Sequence, residues 1–139
     1  MNIWRDRSND EGSVLLLTLG YAVLALALVF VCVDATSLYL EQKRVDAIAD
    51  AAALAGADGF TLTVSADGPV AELTDDGVRA QAQSMIDAYG TSVLVNASTP
   101  DGVSARVTVA AVWHPPIVSI FVPDGVALEA TATSRNALG

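Results

Sequence analysis

The sequence is poor in the residues that do chemistry. It has one cysteine, Cys32, and one histidine, His114. A disulfide framework within one chain is excluded, and so is a zinc site built from several Cys and His. No glycine-rich phosphate loop occurs. Basic residues are scarce, with 7 Lys and Arg against 16 Asp and Glu and a net charge of −9. Nucleic-acid binding needs Lys and Arg to displace phosphate counterions, so that class is disfavoured. From Asp34 onward there are 13 acidic and 5 basic residues, leaving −8 on that part. Such a surface suits solubility outside a membrane better than adhesion to anionic lipid. Charge is absent altogether from Ser13 to Val33, a run of 21 residues. Neither Pro nor Gly interrupts Ala35 to Ala55.

What is present begins with that uncharged run. A helix of this length spans about 30 Å, the thickness of the hydrocarbon core. Only a structure whose backbone groups pair internally can cross lipid, and for a single segment that is a helix. Arg5, Asp6, Arg7, Asp10 and Glu11 precede the run, Asp34 marks its outer boundary, and Glu41, Lys43 and Arg44 follow. Residues 1–12 read as a cytoplasmic leader, 13–34 as a transmembrane helix, and 35–139 as a domain outside the cytoplasm. The competing reading is a cleaved secretory signal, with Val33-Asp34-Ala35 as a loose signal-peptidase site. The run exceeds the usual apolar length of such signals, and its leader is not clearly basic. Flanking positive charge barely sets orientation, and the acidic domain points weakly to an outside C-terminus. Cys32 reads as a small buried hydrophobe, against intermolecular pairing or lipidation.

The helix continues past Asp34. Leu38, Val45, Ile48, Ala49, Ala52 and Ala55 recur at helical spacing and form one apolar stripe, while Glu41, Lys43, Arg44, Asp46 and Asp50 lie mostly off it. Gly56 and Gly59 supply the stop, so a rod of about 40 residues is expected, with lipid around its lower half and one packed face on its upper half.

Beyond the rod, Phe60 to Ala66 reads as a short strand or extended link, and Asp67-Gly68-Pro69 as a turn. Thr74 reads as an N-cap, Asp75 and Asp76 suit the positive end of a helix dipole, and Leu73 and Val78 sit at staple positions. Val78, Ala82, Met85, Ile86 and Tyr89 form one helical face that Gly90 terminates. The period then changes to two. Val93 and Val95 alternate with polar neighbours, Thr99-Pro100-Asp101-Gly102 is a turn, and Val103, Ala105, Val107, Val109, Ala111 and Trp113 face one way along a strand that Pro115-Pro116 ends. Ile117 to Val122 is a helical turn or a buried loop. Val126, Leu128, Ala130 and Ala132 mark a last strand. The fold class is therefore α+β and pilin-like: a long N-terminal transmembrane helix continuing into a small domain with a second helix and one antiparallel sheet of three or four strands, whose inward face covers the rod's stripe.

Sites for catalysis are sparse. His114 stands alone beside two prolines. Asp75 and Asp76 are explained by the helix N-terminus more simply than as paired carboxylates. Asn96-Ala97-Ser98 matches a glycosylation sequon, a short and often fortuitous pattern. No catalytic, cofactor-binding or metal-binding residue is identified, no cofactor is expected, and the chain is not expected to be an enzyme or to bind a small-molecule substrate.

Gly12-Ser13-Val14 through Asp34, Leu38-Tyr39-Leu40, and the AIADAAALA run from Ala47 to Ala55 together resemble the TadE/TadG-like proteins of Flp (Tad) pilus assembly. The later residues fit loosely, with a strand ending in Pro, a short apolar insert and ALEATATSR as a closing strand. The resemblance implies a minor pilin or pseudopilin of a Tad (Flp) type IV pilus or related secretion system, with other pilin-like subunits and pilus assembly proteins as partners. It also implies a prepilin peptidase cut between Gly12 and Ser13. Many pilins carry Glu at the fifth mature position, which here is Leu17. A subunit without that carboxylate fits a filament tip, an initiator of assembly or a plain anchor. Independently, Gly20, Ala22, Ala25 and Ala27 permit close approach of another helix in lipid. The alternative is a membrane-anchored or secreted binding module, and an enzyme would require a pocket gathering Asp75, Asp76 and His114.

Overall fold

A computed structural model describes residues 7–135. Arg5 and Asp6 of the expected leader lie outside the described residues. The element order is α1 (Arg7–Ala57), β1 (Thr61–Ser65), β2 (Gly68–Glu72), α2 (Asp75–Tyr89), β3 (Val93–Ser98), β4 (Ser104–Trp113) and β5 (Val126–Arg135).

Helix α1 is one unbroken rod of 51 residues, about 76 Å long. It is longer than expected because it begins at Arg7, inside the leader. Gly12 alone is too weak a breaker to stop a helix. At its far end the last turn tightens, with Asp58 N–H bonding Ala55 O and Gly59 N–H bonding Gly56 O.

Strands β3, β4 and β5 form an antiparallel sheet in that order. β4 and β5 pair over ten positions, from Ser104↔Arg135 to Trp113↔Val126. The upper half of α1 and the whole of α2 cover one face of this sheet. The core joins Ile48, Ala49, Ala52, Ala53 and Ala57 of α1 to Val78, Ala82 and Ile86 of α2 and Ala105, Val107 and Val109 of β4. A smaller cluster of Val45, Ala111 and Leu128, with Leu38 and Trp113 against it, extends this contact down the rod. The expected stripe is thus the buried one, except that Leu38 and Ala55 are only half-buried, while Ala53, Gly56 and Ala57 are fully covered.

The ends of α2 follow the sequence signals. Thr74 is extended and its Oγ1 accepts from Gly77 N at 3.2 Å. Gly90 closes the helix in the left-handed region at φ 66°, where a side chain would be strained. Leu73 and Val78 are both buried, as a staple requires. Of the expected face, Tyr89 is exposed. The chain just past α1 meets the first turn of α2 at two glycines. A Cβ on Gly77 would stand 2.6 Å from Gly59 O, and one on Gly59 would stand 2.7 Å from Gly77 O.

Three local expectations differ from the structure. The segment after α1 is a hairpin, with β1 and β2 pairing from Thr61↔Glu72 to Ser65↔Gly68. Its turn residues are therefore Ala66 and Asp67, not Asp67-Gly68-Pro69. Pro69 falls inside β2, which is tolerated because an edge strand can leave one side unpaired. The hairpin is a two-stranded sheet of its own, and the main sheet has three strands, within the three or four expected. In β3, Val93 and Val95 are exposed, and the inward residues are Leu94 opposite Val109 and Ala97 opposite Val107. A bulge between Leu94 and Asn96 leaves Val95 unpaired and lets two residues three apart share a face. Finally, Cys32 is exposed on the surface of α1 and so is not packed in a protein core.

Candidate functional site

The candidate functional surface is α1, and its character changes at Asp34. In its most apolar stretch, 18 residues long, no residue is buried inside the protein. Such a surface is stable only against lipid or against another apolar surface. Even Thr18 turns its hydroxyl back onto the helix, donating to Val14 O at 2.8 Å. That satisfies its polarity without water. From Leu38 upward the same rod is buried along one side by the head.

The boundary is built by three contacts. Trp113, at the end of β4, donates from Nε1 to Ser37 Oγ at 3.1 Å. Ile117, just past the two prolines, donates its backbone N–H to Asp34 Oδ1 at 3.2 Å. Gln42 donates to Glu129 O at 3.3 Å and to Asp46 Oδ1 at 3.0 Å. Asp34, expected only as a membrane boundary, therefore also ties the head to the rod. Lys43 and Asp46 form an exposed pair at 3.0 Å. The hydrogen bonds from Gln42 and Lys43 hold the Asp46 carboxyl below its ordinary range, and Asp46 raises Lys43. An exposed pair of this kind is screened by solvent and contributes little.

At the other end of the head, the Thr99–Gly102 turn is fixed by acidic side chains. Asp101 accepts from Val103 N at 3.1 Å, from Ser104 N at 2.6 Å and from Ser104 Oγ at 2.9 Å. The two backbone bonds and the hydroxyl together hold its carboxyl below the usual range. Asp75 Oδ1 accepts from Thr99 N at 2.7 Å. Asp75 thus holds this turn against the start of α2. His114 lies at the opposite end of β4, about 30 Å of strand away. The structure does not bring Asp75, Asp76 and His114 together. Among the described residues no three His, Cys, Asp or Glu side chains group as metal ligands would.

Gly12 and Ser13 lie within the continuous helix. The four small residues of the lower rod do not form one stripe. Gly20 and Ala27, seven apart, share a face, while Ala22 and Ala25 lie about 140–160° round the helix from Gly20. Beside Gly20 is a shallow groove lined by Leu16, Leu17, Tyr21 and Leu24. Sequence reasoning missed a different face. Val33, Leu40, Ala47 and Leu54 are all exposed, at seven-residue spacing on the side of α1 that the head leaves uncovered. The line carries down into the apolar run through Leu26 and Leu19. The signal was in the sequence as a second, fully apolar heptad column, masked by the charged residues beside it.

Residues 12–59, about a third of the chain, match the family described as putative Flp pilus-assembly TadE/G-like. No curated protein and no solved structure matches the chain. The matched segment covers the apolar run, the boundary at Asp34 and the packed upper rod, and ends two residues beyond α1. Residues 12–59 are similar to this family, and the likeness supports involvement of the chain in Flp (Tad) pilus assembly.

Proposed function

We propose that the chain is a membrane-anchored minor pilin or pseudopilin-like component of a Tad (Flp) pilus or related secretion system, without enzymatic activity. It is held by residues 13–34 with the head outside the cytoplasm, and it acts by packing α1 against other pilin-like subunits. The observation that carries this reading is the uncovered column of Val33, Leu40, Ala47 and Leu54. A plain anchor needs apolar surface only inside the bilayer. This column stays apolar above Asp34, where the head leaves it facing water. On a straight helix a seven-residue column drifts about 20° per step. A partner helix following it would cross at a small left-handed angle, as in coiled-coil packing.

Leu40→Glu with Leu54→Glu tests it. Both side chains are exposed, so the head should keep its thermal unfolding and the chain its membrane anchorage. Piliation and co-purification of pilin-like subunits should fall as in a clean deletion. Normal filaments and secretion in both strains would overturn the reading. N-terminal sequencing of protein taken from membranes separates the processing routes. A start at Ser13 means cleavage after Gly12, a start at Thr36 means ordinary secretion, and a start at Met1 or Asn2 means an uncut anchor.

A second reading, a displayed binding module, draws on the β1–β2 hairpin, where Leu62, Val64 and Val70 are all exposed. It expects the part from about residue 35 onward to bind a ligand or wall component with no pilus proteins present.

A further inference from the structure

We infer that the β4–β5 connection, residues 114–125, is a second membrane contact, resting its tip in the interfacial zone of the bilayer beside α1. This rests on the membrane-anchor part of the reading above, and not on the pilin role.

The descent of the chain along the rod places this loop. Near the top of the head, a Cβ on Gly56 would meet Ala105 Cβ at 3.3 Å. Eight residues further along β4, Trp113 bonds Ser37. Four residues beyond that, Ile117 bonds Asp34. Each step is nearer the apolar run, and Asp34 is its last boundary. Ile120 and Phe121 follow Ile117 by three and four residues, within about 14 Å of chain. They occupy the apex before the chain returns to Val126, opposite Trp113.

The chemistry of the apex suits lipid and not water. Pro115 to Pro123 carries no charge, with His114 and Asp124 flanking it. Ile120 and Phe121 are 81% and 78% exposed. The segment was expected to be a helical turn or a buried loop. It is a series of tight turns, with Phe121 N–H bonding Val118 O and Val122 N–H bonding Ser119 O. Satisfying backbone groups within the turns leaves the side chains free to enter an apolar zone. Two large apolar side chains presented together beside a lipid-embedded helix fit an interfacial anchor, and Trp113 sits at the level where amphipathic rings collect. The contact would fix the head's height and tilt on the membrane, which a single helix leaves free to rotate.

The test uses the full chain with Cys32→Ala, carrying an environment-sensitive fluorophore on one introduced cysteine. The labelled sites are Ser119→Cys, Leu24→Cys within the apolar run, and Val64→Cys on the hairpin, where the native side chain is 84% exposed. Each protein is reconstituted in vesicles of phosphatidylcholine with brominated acyl chains. The expected result is blue-shifted emission and bromine quenching at 24 and 119, and neither at 64. Adding Ile120→Asp and Phe121→Asp should return the label at 119 to the behaviour of 64 while leaving 24 quenched. A label at 119 that matches 64 while 24 is quenched overturns the inference alone. No quenching at either 24 or 119 overturns the anchor and the inference together. A blue shift at 119 that appears only at high protein-to-lipid ratio also overturns it, because a neighbouring copy would then be the occupant.

Discussion

The two halves of α1 have the same backbone and opposite requirements. From Ser13 to Val33 the helix carries no charge on any side and every residue is exposed. Above it, Val45, Ile48, Ala49, Ala52 and Ala53 are buried, while Lys43, Arg44 and Asp50 face outward. The difference shows that helix formation and helix stabilisation are separate matters here. The rod forms throughout because nothing breaks it. Its lower half requires lipid or another apolar surface, and its upper half requires the head.

Substitutions that harm one half and spare the other sharpen this comparison. Ala52→Asp should have the largest effect. The residue is fully buried in the core, and an unpaired carboxylate there should cost about 3–5 kcal/mol. The head should lose its cooperative unfolding transition while membrane extraction is unchanged. Leu24→Arg should do the reverse. A charge at the centre of a membrane helix costs about 2.5–3.5 kcal/mol on insertion scales, so a larger alkali-extractable fraction is expected, with the head still folded. Gly77→Ala pushes a methyl group against Gly59 O. Overpacking of this kind costs about 1–3 kcal/mol and should lower the head's melting temperature without affecting insertion.

The smallest effect should come from acid. The Asp101 carboxyl is held below its ordinary range by the Val103 and Ser104 bonds. Its contribution is therefore fully present above the unfolded value, about pH 4, and is lost as pH falls through the lower folded value. The Thr99–Gly102 turn should loosen in that window, seen as faster amide exchange at Val103 and Ser104. Asp101→Asn should remove that pH dependence.

Much of this architecture was legible in the residues. The apolar run, the stripe from Leu38 to Ala52, the Thr74 and Gly90 caps and the alternation along β4 are local patterns with one dominant period each. The missed features depend on relations that no local period encodes. β2 follows a turn whose position is shifted by one residue and contains a proline. In β3, Val93, Leu94 and Val95 are consecutive apolar residues, so no period of two selects the inward one, and the bulge at Val95 then moves the side chains after it to the other side of the sheet. The uncovered column on α1 is present in the sequence as a seven-residue period, but only the head's placement shows that its face is left bare. The same holds for Asp34, whose bond to Ile117 joins residues far apart in the chain.

Passage of one rod from lipid to water at Asp34 is measured directly by cysteine accessibility in intact membrane vesicles. In a Cys32→Ala background, single cysteines at Leu17, Leu24, Val31, Leu40, Ala47 and Leu54 are exposed to a membrane-impermeant maleimide. With the head outward and before filament assembly, 17, 24 and 31 should stay unlabelled until detergent is added, whereas 40, 47 and 54 should react at once. Equal labelling at all six sites without detergent would contradict the two-solvent rod.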